Sequence, residues 1–188
     1  MKIKHRNNKG FTLVELLVVI VIIAVLAALA TPAILAGLKR AKITKAVNIC
    51  TSFEGAVTSF EVEYNYLPFG GGGTSPTTDD EVRSNDDVVA VLAGAEDELN
   101  FKQVKFFETE EPTGNKDGME VDFDNGTATL YDPWGELYFI IIDYDLDGRI
   151  DDPFDEDRDI TRKVAIYSLG ADREGGTTIQ DKDNASNY

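Results

Sequence analysis

Residues 10–38 read GFTLVELLVVIVIIAVLAALATPAILAGL, an apolar run interrupted by a single charge, Glu15. As a helix, the stretch from Phe11 to Leu38 is roughly 42 Å long, against a hydrocarbon core of about 30 Å. It is long enough to span a bilayer. A charge near the middle of a spanning helix costs about 2.5 to 3.5 kcal/mol on insertion scales, so Glu15 requires a partner that the run itself lacks. Another subunit is the obvious source.

Lys2, Lys4, Arg6 and Lys9 precede the run, and Lys39, Arg40, Lys42 and Lys45 follow it. Counting basic residues therefore ties on orientation. Long domains translocate largely regardless of charge and ten residues cannot fold alone, which places residues 39–188 outside the cytoplasm. A secretory signal peptide cut after Ala28-Leu29-Ala30 is the plainer competitor, but its apolar region spans about 7 to 15 residues and is uncharged. A simple membrane anchor is the other.

Lys9-Gly10-Phe11-Thr12-Leu13-Val14-Glu15 resembles the class III signal of type IV pilins and type II secretion pseudopilins. The resemblance implies that residues 1–10 are a leader removed by prepilin peptidase between Gly10 and Phe11. It also implies that Phe11 becomes an N-methylated terminus and that Glu15 neutralises the terminal amine of a neighbouring subunit. Pro32 stands where these families commonly carry a helix-kinking proline. Electrostatics agrees with that role, since opposite charges attract strongly in a low-dielectric bundle and subunit addition would relieve a buried charge.

Beyond the apolar segment of residues 11–38, Ile43, Val47, Cys50, Phe53, Val57, Phe60 and Tyr64 step by three or four, the mark of one apolar helical face. Residues 39–64 therefore continue the helix as an amphipathic half that covers a sheet. Pro32 removes one backbone hydrogen bond and Gly37 lowers helix propensity, so a kink or local melting is expected between them.

Residues 65–188 form the remaining domain. Asn65 to Pro68 ends the helix, and Gly70 to Pro76 reads as a connector. Asp86 to Gly94 suits a short helix capped by Asn85 or Asp86. Strands are expected at Lys102–Glu108, Glu120–Phe123, Thr127–Tyr131, Leu137–Asp143 and Lys163–Ser168, with Asp124-Asn125-Gly126 as a hairpin turn. The fold class is α+β, a long N-terminal helix packed on a small antiparallel β-sheet with acidic, calcium-binding loops.

Residues 51–188 hold 33 acidic and 10 basic side chains, which argues against nucleic acid and anionic lipid surfaces as partners and suits divalent cations. Asp143, Asp145, Asp147 and Asp151 occupy positions 1, 3, 5 and 9 of an EF-hand loop, with Gly148 at 6. Phe154 stands at position 12 in place of the bidentate Glu, with Asp152 and Asp155 close by. The segment from Ser168 to Gly176, with Asp181 and Asp183, resembles the C-terminal loop of the major pseudopilin. There the resemblance implies a structural Ca2+ held by Ser168, Leu169, Asp172, Asp181 and Asp183, although Arg173 replaces the usual glycine. Asp132-Pro133-Trp134-Gly135 resembles a segment of the same family, and physically Asp-Pro begins a turn while the lone Trp is a packing anchor.

Cys50 is the only cysteine, so no intramolecular disulfide forms. His5, the only histidine, lies in the leader, leaving no exported imidazole for acid–base work. An enzyme is not expected. The resemblance implies a structural subunit of the type II secretion pseudopilus, anchored once in the bacterial inner membrane with its C-terminal domain in the periplasm. Its partners would be copies of itself, minor pseudopilins, the inner-membrane assembly platform and prepilin peptidase. A type IV pilin serving adhesion, motility or DNA uptake is one alternative, and an anchored calcium-binding module that never polymerises is the other.

Overall fold

The computed structural model describes residues 11–69, 76–85, 87–155, 157–174 and 184–188. Its first element, α1, runs unbroken over Leu13–Tyr64, and the chain divides into two units between Arg40 and Ala41. In the first unit the described side chains are exposed all round the helix. One 18-residue window there reaches a mean hydropathy of 3.2, long and apolar enough to cross a membrane. The local melting expected between Pro32 and Gly37 is absent. Pro32 forfeits a single ladder bond, and the helix on either side of it holds the remaining ones.

In the second unit α1 turns one face inward. Ala46, Cys50, Phe53, Ala56, Val57, Phe60 and Tyr64 are buried, so the predicted stripe is present, with Ala46 at its start while Ile43 and Val47 are only half-buried. The helix stops where Asn65 takes a left-handed φ of 61°, a conformation that Asn tolerates better than most residues. Phe60 packs against the rings of Tyr64, Tyr66 and Phe106 at 4.6, 5.6 and 5.3 Å.

The strands are β1 (Val82–Arg83), β2 (Gly118–Asp122), β3 (Thr127–Tyr131), β4 (Phe139–Ile142), β5 (Ile150–Asp151), β6 (Asp159–Ile160), β7 (Val164–Ser168) and β8 (Ala185–Ser186), with a short helix α2 at Asp87–Ala93. They form an antiparallel sheet of order β1-β4-β7-β8 and two hairpins, β2–β3 and β5–β6. This is the expected α+β, pilin-like layout. Its core joins the buried face of α1 to α2, β4 and β7. Ser84 ties the β2–β3 hairpin to the sheet: its N–H donates to the Tyr138 carbonyl, its hydroxyl to the Leu130 carbonyl, and its own carbonyl accepts from Leu130.

Helix α2 ends as the sequence suggests. Gly94 adopts φ 75°, with Gly94 N–H bonded to Val91 O and Ala95 N–H to Ala90 O, the paired bonds of a Schellman cap. The cap expected from Asp86 lies outside the described residues, as do Gly70 to Ser75 of the connector. Lys102–Glu108 is not a strand. Asn100 binds the carbonyls of Val91 and Val104 and accepts from Val104 N–H, while the N–H groups of Phe106 and Phe107 both donate to Leu92 O. The backbone groups that a ladder needs are thus used to finish α2. The Glu120–Phe123 strand begins earlier, at Gly118, where a Cβ would stand 2.3 Å from Glu110 O and only glycine fits. Leu137 leaves β4 to make a lone bridge with Tyr131.

Cys50 lies fully buried under this core, and burial pushes its thiol pKa upward. The thiolate is the reactive form. The folded protein is therefore expected to resist alkylation at pH 8 and to label fully in denaturant, which timed iodoacetamide labelling with intact-mass detection would show. Fast labelling of the folded chain would contradict this core.

Candidate functional site

Helix α1 begins one residue after Thr12, so Glu15 sits in its first turn rather than near its middle. Glu15 N–H donates to Thr12 Oγ1 at 3.3 Å, while Glu15 Oε2 accepts from Thr12 N–H at 2.9 Å and from its hydroxyl at 2.7 Å. These bonds make a capping box, in which Ncap Thr and N3 Glu satisfy each other's backbone donors. Thr12 is thus a hydrogen-bond partner within the run, though not one that compensates the charge. T-x-x-E spacing at residues 12–15 was the available signal. The hydrogen bonds with Thr12 leave the negative charge uncompensated and exposed, beside the residue expected to become the new terminus, Phe11. Gly10 lies outside the described residues, and Pro32 stays inside the helix.

Residues 5–31 match the family model described as the prokaryotic N-terminal methylation motif. The chain carries a type IV pilin-like N-terminus. The match covers Gly10, Phe11 and Glu15, and implies processing by prepilin peptidase. With α1 apolar all round up to Leu38, it accords with a membrane-anchored, single-pass pilin-like protein. No curated protein and no solved structure matches the chain.

The acidic loops are built differently from their spacing. One carboxylate oxygen each from Asp79, Asp143 and Asp145 lies within 4.8 Å of the others. At that separation two unit charges repel by about 3 kcal/mol at an effective dielectric constant of about 20. Strand pairing brings the two segments together: Val82 faces Ile140 and Arg83 faces Phe139, which leads the segment before β1 towards the loop after β4. Asp79 Oδ1 accepts Tyr144 N–H at 2.7 Å. Burial, joined by the charges of Asp145 and Asp143, pushes the Asp79 pKa upward against the backbone hydrogen bonds from Tyr144 and Asp145.

Asp147 and Asp151 stand outside this trio and line the cleft beside it, of about 580 Å³. Asp147 Oδ1 accepts Arg149 N–H, and Asp143 Oδ2 accepts Gly148 N–H. Phe154 packs edge-on against Tyr167 at 5.0 Å, so the twelfth loop position serves packing. Asp152, the nearest substitute, is buried and paired with Arg158. Sequence reasoning missed Asp79, because nothing local to Thr77-Thr78-Asp79-Asp80 points to a loop 64 positions away. Only the β1–β4 register reveals it.

At the C-terminal loop, Ser168 is buried, with its hydroxyl donating to Asp132 Oδ2 at 2.6 Å and accepting Gly170 N–H at 3.1 Å. Leu169 is half-buried, and Asp172 is exposed, accepting Glu174 N–H. Asp181 and Asp183 lie outside the described residues. The Ser168 hydroxyl is thus committed to Asp132. That aspartate organises the Asp-Pro-Trp-Gly turn: its Oδ1 accepts the N–H groups of Trp134, Gly135 and Glu136 at 2.8, 2.7 and 2.9 Å.

Proposed function

We propose that this chain is a structural subunit of the type II secretion pseudopilus, polymerising into a periplasmic filament that helps to export folded proteins across the outer membrane. The observation that carries the reading is the methylation motif at the head of a helix whose apolar side chains are exposed on every side as far as Leu38. Such a helix needs lipid before assembly and other helices after it, and Glu15 supplies a charge for a neighbour's terminal amine. The Asp-Pro-Trp-Gly turn and the single, unpaired cysteine favour the secretion filament over an adhesive pilus. Minor pseudopilins, the inner-membrane platform and prepilin peptidase are the partners this role requires.

Deleting the gene is expected to trap folded secretory proteins in the periplasm while leaving surface fibres intact. Loss of surface fibres with undisturbed secretion would instead assign the chain to a type IV pilus.

A further inference from the structure

We propose that Asp79, Asp143 and Asp145 form a divalent-cation site of the calcium class, which fastens the segment entering β1 to the loop leaving β4. Three carboxylates converge within 4.8 Å, and among the described residues none of them makes an ion pair with Lys or Arg; Arg149 is engaged with Asp159. A second observation points to a ligand. Asp143 is only 4% exposed, and its Oδ1 is buried without any hydrogen-bond partner. A buried carboxylate oxygen in that state costs stability unless something positive meets it.

Carboxylate oxygens alone make a hard donor set, which suits calcium or magnesium rather than a thiophilic metal. Calcium fits better. It takes about six to eight oxygens at about 2.3 to 2.6 Å in irregular geometry, whereas magnesium demands a near-ideal octahedron. The exposed side of Asp145 and the adjoining cleft leave room for the waters that would complete the shell. The site differs from the EF-hand spacing, because Asp79 enters from the segment before β1 while Asp147 and Asp151 remain outside. It shares no residue with the acidic set of the C-terminal loop around Asp172. The inference does not rest on the filament role.

The competing account makes Asp79 a simple acceptor for Tyr144 N–H. Asp79→Asn separates the two, since the amide oxygen keeps that hydrogen bond and loses the charge. Detergent-solubilised full-length protein would be titrated with calcium chloride by calorimetry, and with terbium followed by luminescence sensitised through Tyr144. We expect Asp79→Asn and the exposed Asp145→Asn each to weaken one calcium equivalent by about tenfold or more, with Asp172→Asn leaving that equivalent intact. Wild-type protein that binds no calcium would overturn the site. So would an Asp79→Asn protein with unchanged stoichiometry and affinity, or loss of the same equivalent in Asp172→Asn.

Discussion

Glu15→Ala is expected to leave the chain inserted in the membrane and to abolish filament growth. Two effects compete in this variant. Loss of the capping box with Thr12 costs about 1 kcal/mol at the start of α1. Loss of the charge meeting a neighbour's amine forfeits about 4 kcal/mol per contact at 4 Å and an effective dielectric constant of about 20, before desolvation. The electrostatic effect is the larger, and a filament repeats it at every subunit. Thr12→Ala is the control, because it removes the hydroxyl of the cap and keeps the charge. Membrane fractionation with electron microscopy of sheared filaments should show Glu15→Ala anchored but unassembled, with Thr12→Ala assembled. Equal loss in both variants would make Glu15 a helix cap only.

Asp132→Ala is expected to be the most damaging single substitution in the second unit. Its carboxylate is fully buried and accepts four hydrogen bonds, three from the turn it begins and one from Ser168 of β7. Hydrogen bonds to a charged group contribute about 1.5 to 3 kcal/mol each, and buried donors left unpaired add their desolvation cost. Water entering the vacated space recovers part of this, so a net loss of about 3 to 5 kcal/mol is expected. Asp132→Asn keeps an acceptor for the three N–H groups and presents its amide to the Ser168 oxygen, so it should lose only about 1 to 2 kcal/mol. Urea unfolding of the solubilised full chain, followed through Trp134 in the turn itself, would rank the two. Similar losses would show that charge, not acceptor geometry, organises the turn.

The helix, its buried stripe and the β3, β4 and β7 cores were legible in the sequence because each rests on local periodicity. The turn around Asp124-Asn125-Gly126 was legible too: Asp122 Oδ1 holds the N–H groups of Asp124 and Asn125 between β2 and β3. Lys102–Glu108 misled, since a strand-like pattern says nothing about the Leu92 carbonyl of α2 capturing two of its N–H groups. The two-residue strands β1, β5, β6 and β8 are too short to carry an alternation. Asp79 was illegible for the same reason on a larger scale, its meeting with Asp143 being a property of strand register. The capping role of Glu15 was not read, because hydropathy locates a span but not the residue at which its helix begins.

The central claim is that this chain is processed and assembled as a pilin-like subunit. Intact-mass and N-terminal analysis of the protein extracted from membranes tests it most directly. The account predicts a mature chain beginning at N-methylated Phe11. A chain that starts at Thr31, or retains Met1, would contradict it.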